Sequence, residues 1–126
     1  MKFSLNQKDL QKSLSYCQGV IEKRSTLQIL SNVLLEAKNS LLTITATDLD
    51  LIFIHRIKDI KIEEEGKITT SSSTMHDVVR KFSPGKKIDI SLGEDNKLML
   101  ESEKSVFHLN CIDSNEFPLT DENFNQ

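Results

Sequence analysis

Two stretches of the chain carry the same order of patterns, and this repetition limits the fold more than any other feature. In each stretch a helical apolar pattern is followed by three runs that are apolar or that alternate as strands do. The second helical pattern follows the first by about 65 residues. The sequence therefore predicts an α+β fold of two strand–helix–three-strand units, in which antiparallel sheets carry both helices on one side.

The elements of each unit can be placed on the chain from spacing and turn residues. "MKFSL" is predicted to be a strand, and Asn6 can cap the helix that follows it. The apolar positions of the two predicted helices are Leu10, Leu14, Cys17 and Ile21, then Met75, Val78, Val79 and Phe82. The predicted strands after them cover 29–37, 41–47 and 49–57, then 87–92, 98–102 and 105–112. The acidic segment 63–67 is predicted to be a turn between the units.

Composition fits a single soluble domain. The chain has 126 residues, a net charge of -3 and no apolar run as long as the roughly 20 residues of a membrane span. The negative charge argues against nucleic-acid binding by the whole surface, although a local basic face remains compatible with it. Cys17 and Cys111 lie outside any C-x-x-C spacing, so core thiols are favoured over a disulfide.

Two aspartates, Asp48 and Asp50, stand one residue apart in the run "TATDLDLIFIH". A D-x-D pair on a strand points both carboxylates to one face, where a metal-dependent hydrolase could use them. A hard cation needs more oxygen ligands than this pair supplies, and the apolar alternation changes phase at the aspartates, as it does at a tight turn. Because no nucleophile motif or glycine-rich loop occurs either, we expect no catalytic residue, metal or cofactor.

Basic residues cluster on the outer faces of the predicted helices and just after the first one. They are Lys8, Lys12, Lys23, Arg24 and Arg80. If both helices share one side, these residues form a mildly positive strip suited to loose contact with a phosphate backbone. Two alternatives stay open at this point: an ordinary solvated face, and a β-rich adaptor without a role on DNA.

Four motifs in register carry a resemblance to a known family. They are "MKFSL", "RSTLQILSNVLLEA", "LTITATDLDL" and "FHLNCIDSNEFP", and together they extend from Met1 to about Pro118. The chain resembles the first domain of the bacterial sliding clamp family, the β subunit of DNA polymerase III. It departs from the family pattern at Gln28, where proline is common, and at Ala46, where glycine is common.

The resemblance implies a DNA clamp fold and a non-catalytic processivity factor of the replicative polymerase. Two identical cytoplasmic chains would close head to tail into a ring of six domains around duplex DNA. Arg24 matches a family position near DNA, and Lys23, Lys12, Lys8 and Arg80 follow from face and charge. Asp48 and Asp50 would then be structural residues between two strands.

The resemblance also implies a subunit interface on the last strand of the domain. Phe107 and Leu109 match apolar contact positions of the family, and Lys104 matches a basic position that pairs with an acid across the interface. The alternative is that Phe107 and Leu109 are core residues. Residues 1–118 would be the first clamp domain, and 119–126 would begin the linker to a missing second domain. Because a family member has three such domains in each chain, this chain is expected to be a fragment. Polymerase and clamp loader would bind the later domains.

Overall fold

The structure, a computed structural model, describes residues 1–21, 31–47 and 51–117. Within them the chain forms nine strands and two α-helices. In chain order these are β1 (Lys2–Asn6), α1 (Gln7–Ile21), β2 (Asn32–Lys38), β3 (Leu41–Thr47), β4 (Ile52–Ile57), β5 (Lys61–Glu64), β6 (Gly66–Ser71), α2 (Ser72–Arg80), β7 (Lys87–Leu92), β8 (Lys97–Ser102) and β9 (Ser105–Ile112). A 3₁₀ turn, Ser114–Glu116, follows β9.

The strands form one antiparallel sheet in the order β4-β3-β2-β6-β9-β8-β7-β1-β5. The first unit is β1-α1-β2-β3-β4, and the second is β6-α2-β7-β8-β9. The first strand of each unit pairs with a strand of the other unit: β1 pairs with β7, and β6 pairs with β2. Strand β6 also pairs with β9 of its own unit. The two helices contact each other on one side of the sheet. The predicted fold of two repeated units is therefore confirmed.

Strand β5 corrects the prediction that the acidic segment is only a turn. Lys61–Glu64 pairs with β1, where Ile62 lies opposite Phe3 and is half-buried. Glu63 also forms an ion pair with Lys2, at 3.3 Å. The strand forms because β1 offers an open edge and one apolar contact, neither of which is visible in the local run of charges.

Both helices begin at side-chain caps and bury the faces that the sequence predicts. Asn6 accepts a hydrogen bond from the Lys8 amide at 2.8 Å, and Ser71 accepts one from the Thr74 amide at 3.3 Å. The predicted apolar positions of both helices are buried: Leu10, Leu14, Cys17, Ile21, Met75, Val78, Val79 and Phe82. Burial of these residues against the sheet supplies most of the stability of helices this short.

Both cysteines are free thiols, as predicted. Cys17 is fully buried on α1, and desolvation raises the pKa of its thiol to about 12. Cys111, on β9, is half-buried, and burial raises the pKa of its thiol above the ordinary value. Neither thiol is therefore a reactive thiolate at neutral pH.

Strands β3 and β4 are joined at the D-x-D motif. Thr47 lies directly opposite Ile52, and the Thr47 hydroxyl donates to the Leu51 carbonyl at 2.9 Å. Asp48 and Asp50 themselves lie outside the described residues. Strands β3 and β4 are antiparallel neighbours, as the phase change of the apolar alternation predicts.

Two adjacent threonines on β6 differ in hydrogen bonding, so replacing each with valine is predicted to have opposite effects on stability. Thr69 and Thr70 are both buried, but only the Thr70 hydroxyl has a partner, the Asn110 carbonyl at 3.3 Å. The Thr69 Oγ1 atom has none among the described residues. We expect Thr69→Val to raise the free energy of unfolding by about 1 kcal/mol, because it removes an unsatisfied hydroxyl, and Thr70→Val to lower it by about 1 kcal/mol.

Urea unfolding of the two variants beside the parent chain measures both changes with one method. Each variant serves as the control for the other, since the same atoms are exchanged one residue apart. Shifts of the same sign in both midpoints would contradict the assignment of one satisfied and one unsatisfied hydroxyl.

Candidate functional site

The outer face of the helix pair is a shared surface, because the two helices lie side by side. Three side-chain contacts of 2.9–3.1 Å join them: Gln7 Nε2 to the Val79 carbonyl, Ser15 Oγ to His76 Nε2, and Ser72 Oγ to Gln18 Oε1. The residue numbers of the contacting side chains increase along α1 as those of their partners decrease along α2. The helices are therefore antiparallel, and the beginning of α1 lies beside the end of α2.

This antiparallel arrangement brings some of the predicted DNA-contacting residues together. Lys8, Lys12 and Arg80 are all exposed. Lys8 and Arg80 directly follow the contacting pair Gln7 and Val79, so they lie at the same end of the helix pair. Lys23 and Arg24 follow the other end of α1 in sequence and lie outside the described residues.

Arg80 contributes less free charge than its position implies. Its guanidinium donates to the Asp77 carboxylate at 2.7 Å, an i,i+3 pair on the surface of α2. Lys81, which directly follows α2, is exposed and takes part in none of the ion pairs within the described residues. We define the basic helix face as Lys8, Lys12, Arg80 and Lys81.

His76 lies at the junction of the helices, between Ser15 and the Arg80–Asp77 pair. Desolvation lowers the pKa of its imidazole, Arg80 lowers it further, and Asp77 opposes both. The imidazole is therefore neutral at physiological pH. It can hydrogen-bond with Ser15 and adds no charge to the basic helix face.

The chemistry of the basic helix face is that of a weak, sequence-independent contact. Its three lysines, Lys8, Lys12 and Lys81, are exposed. Such side chains can meet phosphates as point charges, but they form no planar, bidentate array that reads base edges. The face can therefore attract a polyanion without fixing its position.

The last strand carries the residues predicted at a subunit interface. Among the described residues, segment 105–110 of β9 pairs with a neighbouring strand along one edge only, where β8 lies. Lys104 is exposed in the turn before the strand. A strand paired on one edge can extend into the sheet of another chain or domain.

Phe107 and Leu109 differ in their surroundings, although they share one face of β9. Leu109 is only 6% exposed and belongs to the core of the single chain. Phe107 is half-buried and meets Phe82 edge to face, with 5.5 Å between ring centroids. On the opposite face of the strand Val106 is exposed. Of the two predicted apolar contacts, Phe107 therefore keeps more surface for a partner.

Elsewhere in the described residues, the side chains that could bind a metal do not lie together. Within the described ranges, no three or more His, Cys, Asp or Glu side chains are grouped so that they could hold a metal ion. Of the histidines, His55 contacts Ser13 at 2.5 Å and His76 contacts Ser15, while His108 is exposed on β9. None of the described helices has the length and apolar composition that a membrane crossing needs.

Comparisons with known proteins identify the family. The profile of the DNA polymerase III beta subunit, N-terminal domain, matches residues 1–121. The beta sliding clamp of Caulobacter vibrioides is 35% identical over 120 residues, which are 94% of this chain and 32% of that protein. The beta sliding clamp of Escherichia coli K12 is 30% identical over 122 residues, which are 97% of this chain and 33% of that protein.

Solved structures agree with the sequence comparisons. The DNA polymerase sliding clamp from Caulobacter crescentus superposes with a TM-score of 0.87 and 34% identity over 95% of this chain and 32% of that one. The DNA polymerase III subunit beta from Pseudomonas aeruginosa superposes with a TM-score of 0.87 and 31% identity over 96% of this chain and 32% of that one. The chain thus spans about a third of the length of these relatives, and it belongs to the DNA polymerase III beta subunit family, whose N-terminal domain it matches.

Proposed function

We propose that this chain is the first domain of a DNA sliding clamp, the non-catalytic processivity factor of a replicative DNA polymerase. One observation carries the proposal: two antiparallel helices present the basic helix face on one side of an antiparallel sheet, in a chain of net charge -3. Exposed cations on the helix side of a chain whose net charge is negative suit a protein that meets DNA with that side.

A ring would explain both the low DNA affinity expected of the basic helix face and the match of this chain to only a third of its relatives. A closed ring stays on duplex DNA because of its topology, so each domain needs little affinity and can slide. The chain covers 32% of its clamp relatives, which supports three domains of this kind in each full chain. Two such chains, closed head to tail, would place six helix pairs around the duplex. Residues 1–118 would be the first domain, and 119–126, outside the described residues, would begin the linker.

The DNA contacts would come from Arg24, Lys23, Lys12, Lys8 and Arg80. Lys8 and Lys12 have the best structural support, because they are exposed and unpaired within the described residues. Arg80 is weakened by its pair with Asp77. The contribution of Lys23 and Arg24 rests on the family resemblance.

The partially unpaired edge of β9 would supply one half of the subunit interface. Phe107 would provide the apolar contact and Lys104 a charge pair with an acid of the partner, while Leu109 would act mainly by supporting the strand from the core. The replicative polymerase and the clamp loader would bind to later domains. The full protein would act in the cytoplasm, without a cofactor.

The decisive experiment tests topology in the longer protein that contains this domain. The full chain is loaded on nicked circular DNA with its clamp loader, and the circles are then cut with a restriction enzyme. We expect retention on circles and loss from linear DNA, measured by gel filtration of the labelled protein. Linear DNA blocked at both ends is the control and should restore retention. Equal retention on open linear DNA and on circles would mean ordinary DNA affinity and would overturn the ring proposal.

A further inference from the structure

A hollow between helix α1 and the edge strand β4 lies beside the basic helix face and combines an exposed aromatic ring with cations. Its volume is about 280 Å³, and the residues that matter to its chemistry are Asp9, Lys12, Tyr16, His55, Arg56 and Lys58. This volume is close to the roughly 300 Å³ at which ligand pockets of proteins begin. The hollow is therefore near the lower size limit for binding a small group such as one ring.

An aromatic platform forms one wall of the hollow. Tyr16 remains 45% exposed, although its ring meets both Phe53 and His55 edge to face, with centroids 6.2 Å and 5.5 Å apart. Phe53 and His55 are themselves parallel within 5°. The buried Ser13 hydroxyl contacts His55 Nδ1 at 2.5 Å and fixes that ring. Tyr16 is thus an exposed aromatic ring held in place by two others, which lowers the entropy cost of stacking a ligand on it.

Cations outnumber acids around this platform. Lys12, Arg56 and Lys58 face a single carboxylate, Asp9, and none of these four takes part in the ion pairs within the described ranges. A second hollow, of about 370 Å³, shares Asp9 and Lys58 with the first and continues past them. It adds the cation Lys61, the acid Asp59, and Lys87, whose charge is offset by an ion pair with Asp89 at 3.7 Å. The two hollows share lining residues and together form a groove lined by five cations and two acids.

We propose that this groove binds single-stranded nucleic acid, with one base stacked on Tyr16 and the flanking phosphates at Lys12, Arg56 and Lys58. A positive groove beside an exposed aromatic ring is the arrangement by which proteins hold single strands without reading their sequence. Duplex DNA would use the cations but not the ring, because its bases are already stacked on one another. An acidic peptide would likewise leave Tyr16 without a partner.

The proposal goes beyond encirclement of duplex DNA and does not depend on it. A short linear oligonucleotide can occupy the groove of the single chain, so neither a ring nor a clamp loader is needed. Failure of the topology experiment would leave this proposal standing, and the reverse also holds. The groove would let a clamp domain contact the unpaired strand beside a primer end while its helices face the duplex.

The chain itself provides the reporter for a direct test. Tyr16 is its one tyrosine, and the sequence contains no tryptophan. Its intrinsic fluorescence therefore reports on this site alone. We expect a short oligothymidylate to quench that fluorescence saturably at low salt, with free tyrosine amide as the control for absorption by the DNA. Higher salt should weaken the binding, because the phosphate contacts release counterions.

Variants then separate stacking from charge, with a fluorescein-labelled oligothymidylate and its anisotropy as the readout. We expect Tyr16→Ala to weaken binding about tenfold or more, and Tyr16→Phe to retain most of it, because the second variant keeps the ring. Arg56→Ala should weaken binding and reduce its salt dependence. Lys97→Ala, an equal change of charge on the distant strand β8, is the matched control and should bind like the parent chain.

Any of the following outcomes would overturn the proposal. Equal quenching by a duplex of the same length would mean a backbone contact without stacking. Equal quenching by oligoglutamate would indicate an acidic peptide as the partner, and equal quenching by inorganic phosphate would indicate an anion site only. No quenching, or a Tyr16→Ala variant that binds like the parent, would remove the aromatic platform from the site.

Discussion

Leu14→Ala is expected to lower the free energy of unfolding by about 2–5 kcal/mol. Leu14 is fully buried at the centre of the apolar stripe of α1 and belongs to the main core. Truncation removes apolar burial and leaves a cavity between the helix and the sheet, which a close-packed interior fills only partly. Marginal stability makes such a loss a large fraction of the total.

Urea unfolding followed by circular dichroism measures the change in Leu14→Ala. Lys12→Ala is the matched control, because it shortens an exposed side chain on the same helix and should change the free energy by less than about 0.5 kcal/mol. A loss below about 1 kcal/mol in Leu14→Ala would contradict tight packing of α1 on the sheet. Leu14→Val, which removes less volume, should fall between the parent and the alanine variant.

Phe107→Ala in the full-length protein is expected to weaken the proposed head-to-tail dimer by about 2 kcal/mol or more, a loss of about thirtyfold in affinity. Phe107 is the better of the two predicted apolar positions to test, since Leu109 is buried and its truncation would damage the core. An aromatic side chain on a partially unpaired strand edge supplies large contact area at low entropy cost.

Sedimentation of the full-length variant at low concentration measures this dimer. Val106→Ala, on the exposed opposite face of the same strand, is the control and should sediment like the parent protein. Because Phe107 also touches Phe82, unfolding of the 126-residue variant must be measured beside it, to separate a weaker dimer from a weaker domain. A Phe107→Ala dimer that persists at low concentration would remove this residue from the interface.

Much of the fold could be predicted because the informative patterns are local. The alternation of Leu42, Ile44 and Ala46 predicts strand β3, and all three residues are buried. The helical stripes predict both helices, and Asn6 predicts the start of α1. Strand β5 was not predicted, because its residues are mostly charged and the open edge of β1 that it covers lies about 60 residues away in the sequence.

The site was less predictable because its geometry depends on how distant elements meet. Charge and face predicted that the helices share a basic side, but only the contact of Gln7 with Val79 shows which ends adjoin. The ion pair of Arg80 with Asp77 could have been anticipated from their i,i+3 spacing. Tyr16 gave no signal in the sequence, because the rings that hold it come from β4.

The exchange of first strands between the two units has a consequence for how the domain unfolds. Each repeat resembles one partner of a domain-swapped pair, joined covalently to the other. Strand β1 pairs with β7 of the second repeat, and β6 joins β2 of the first repeat to β9 of the second. Loss of β1 or of β6 would therefore remove a hydrogen-bonded neighbour from the opposite repeat. We therefore expect the two repeats to unfold together, as one cooperative unit.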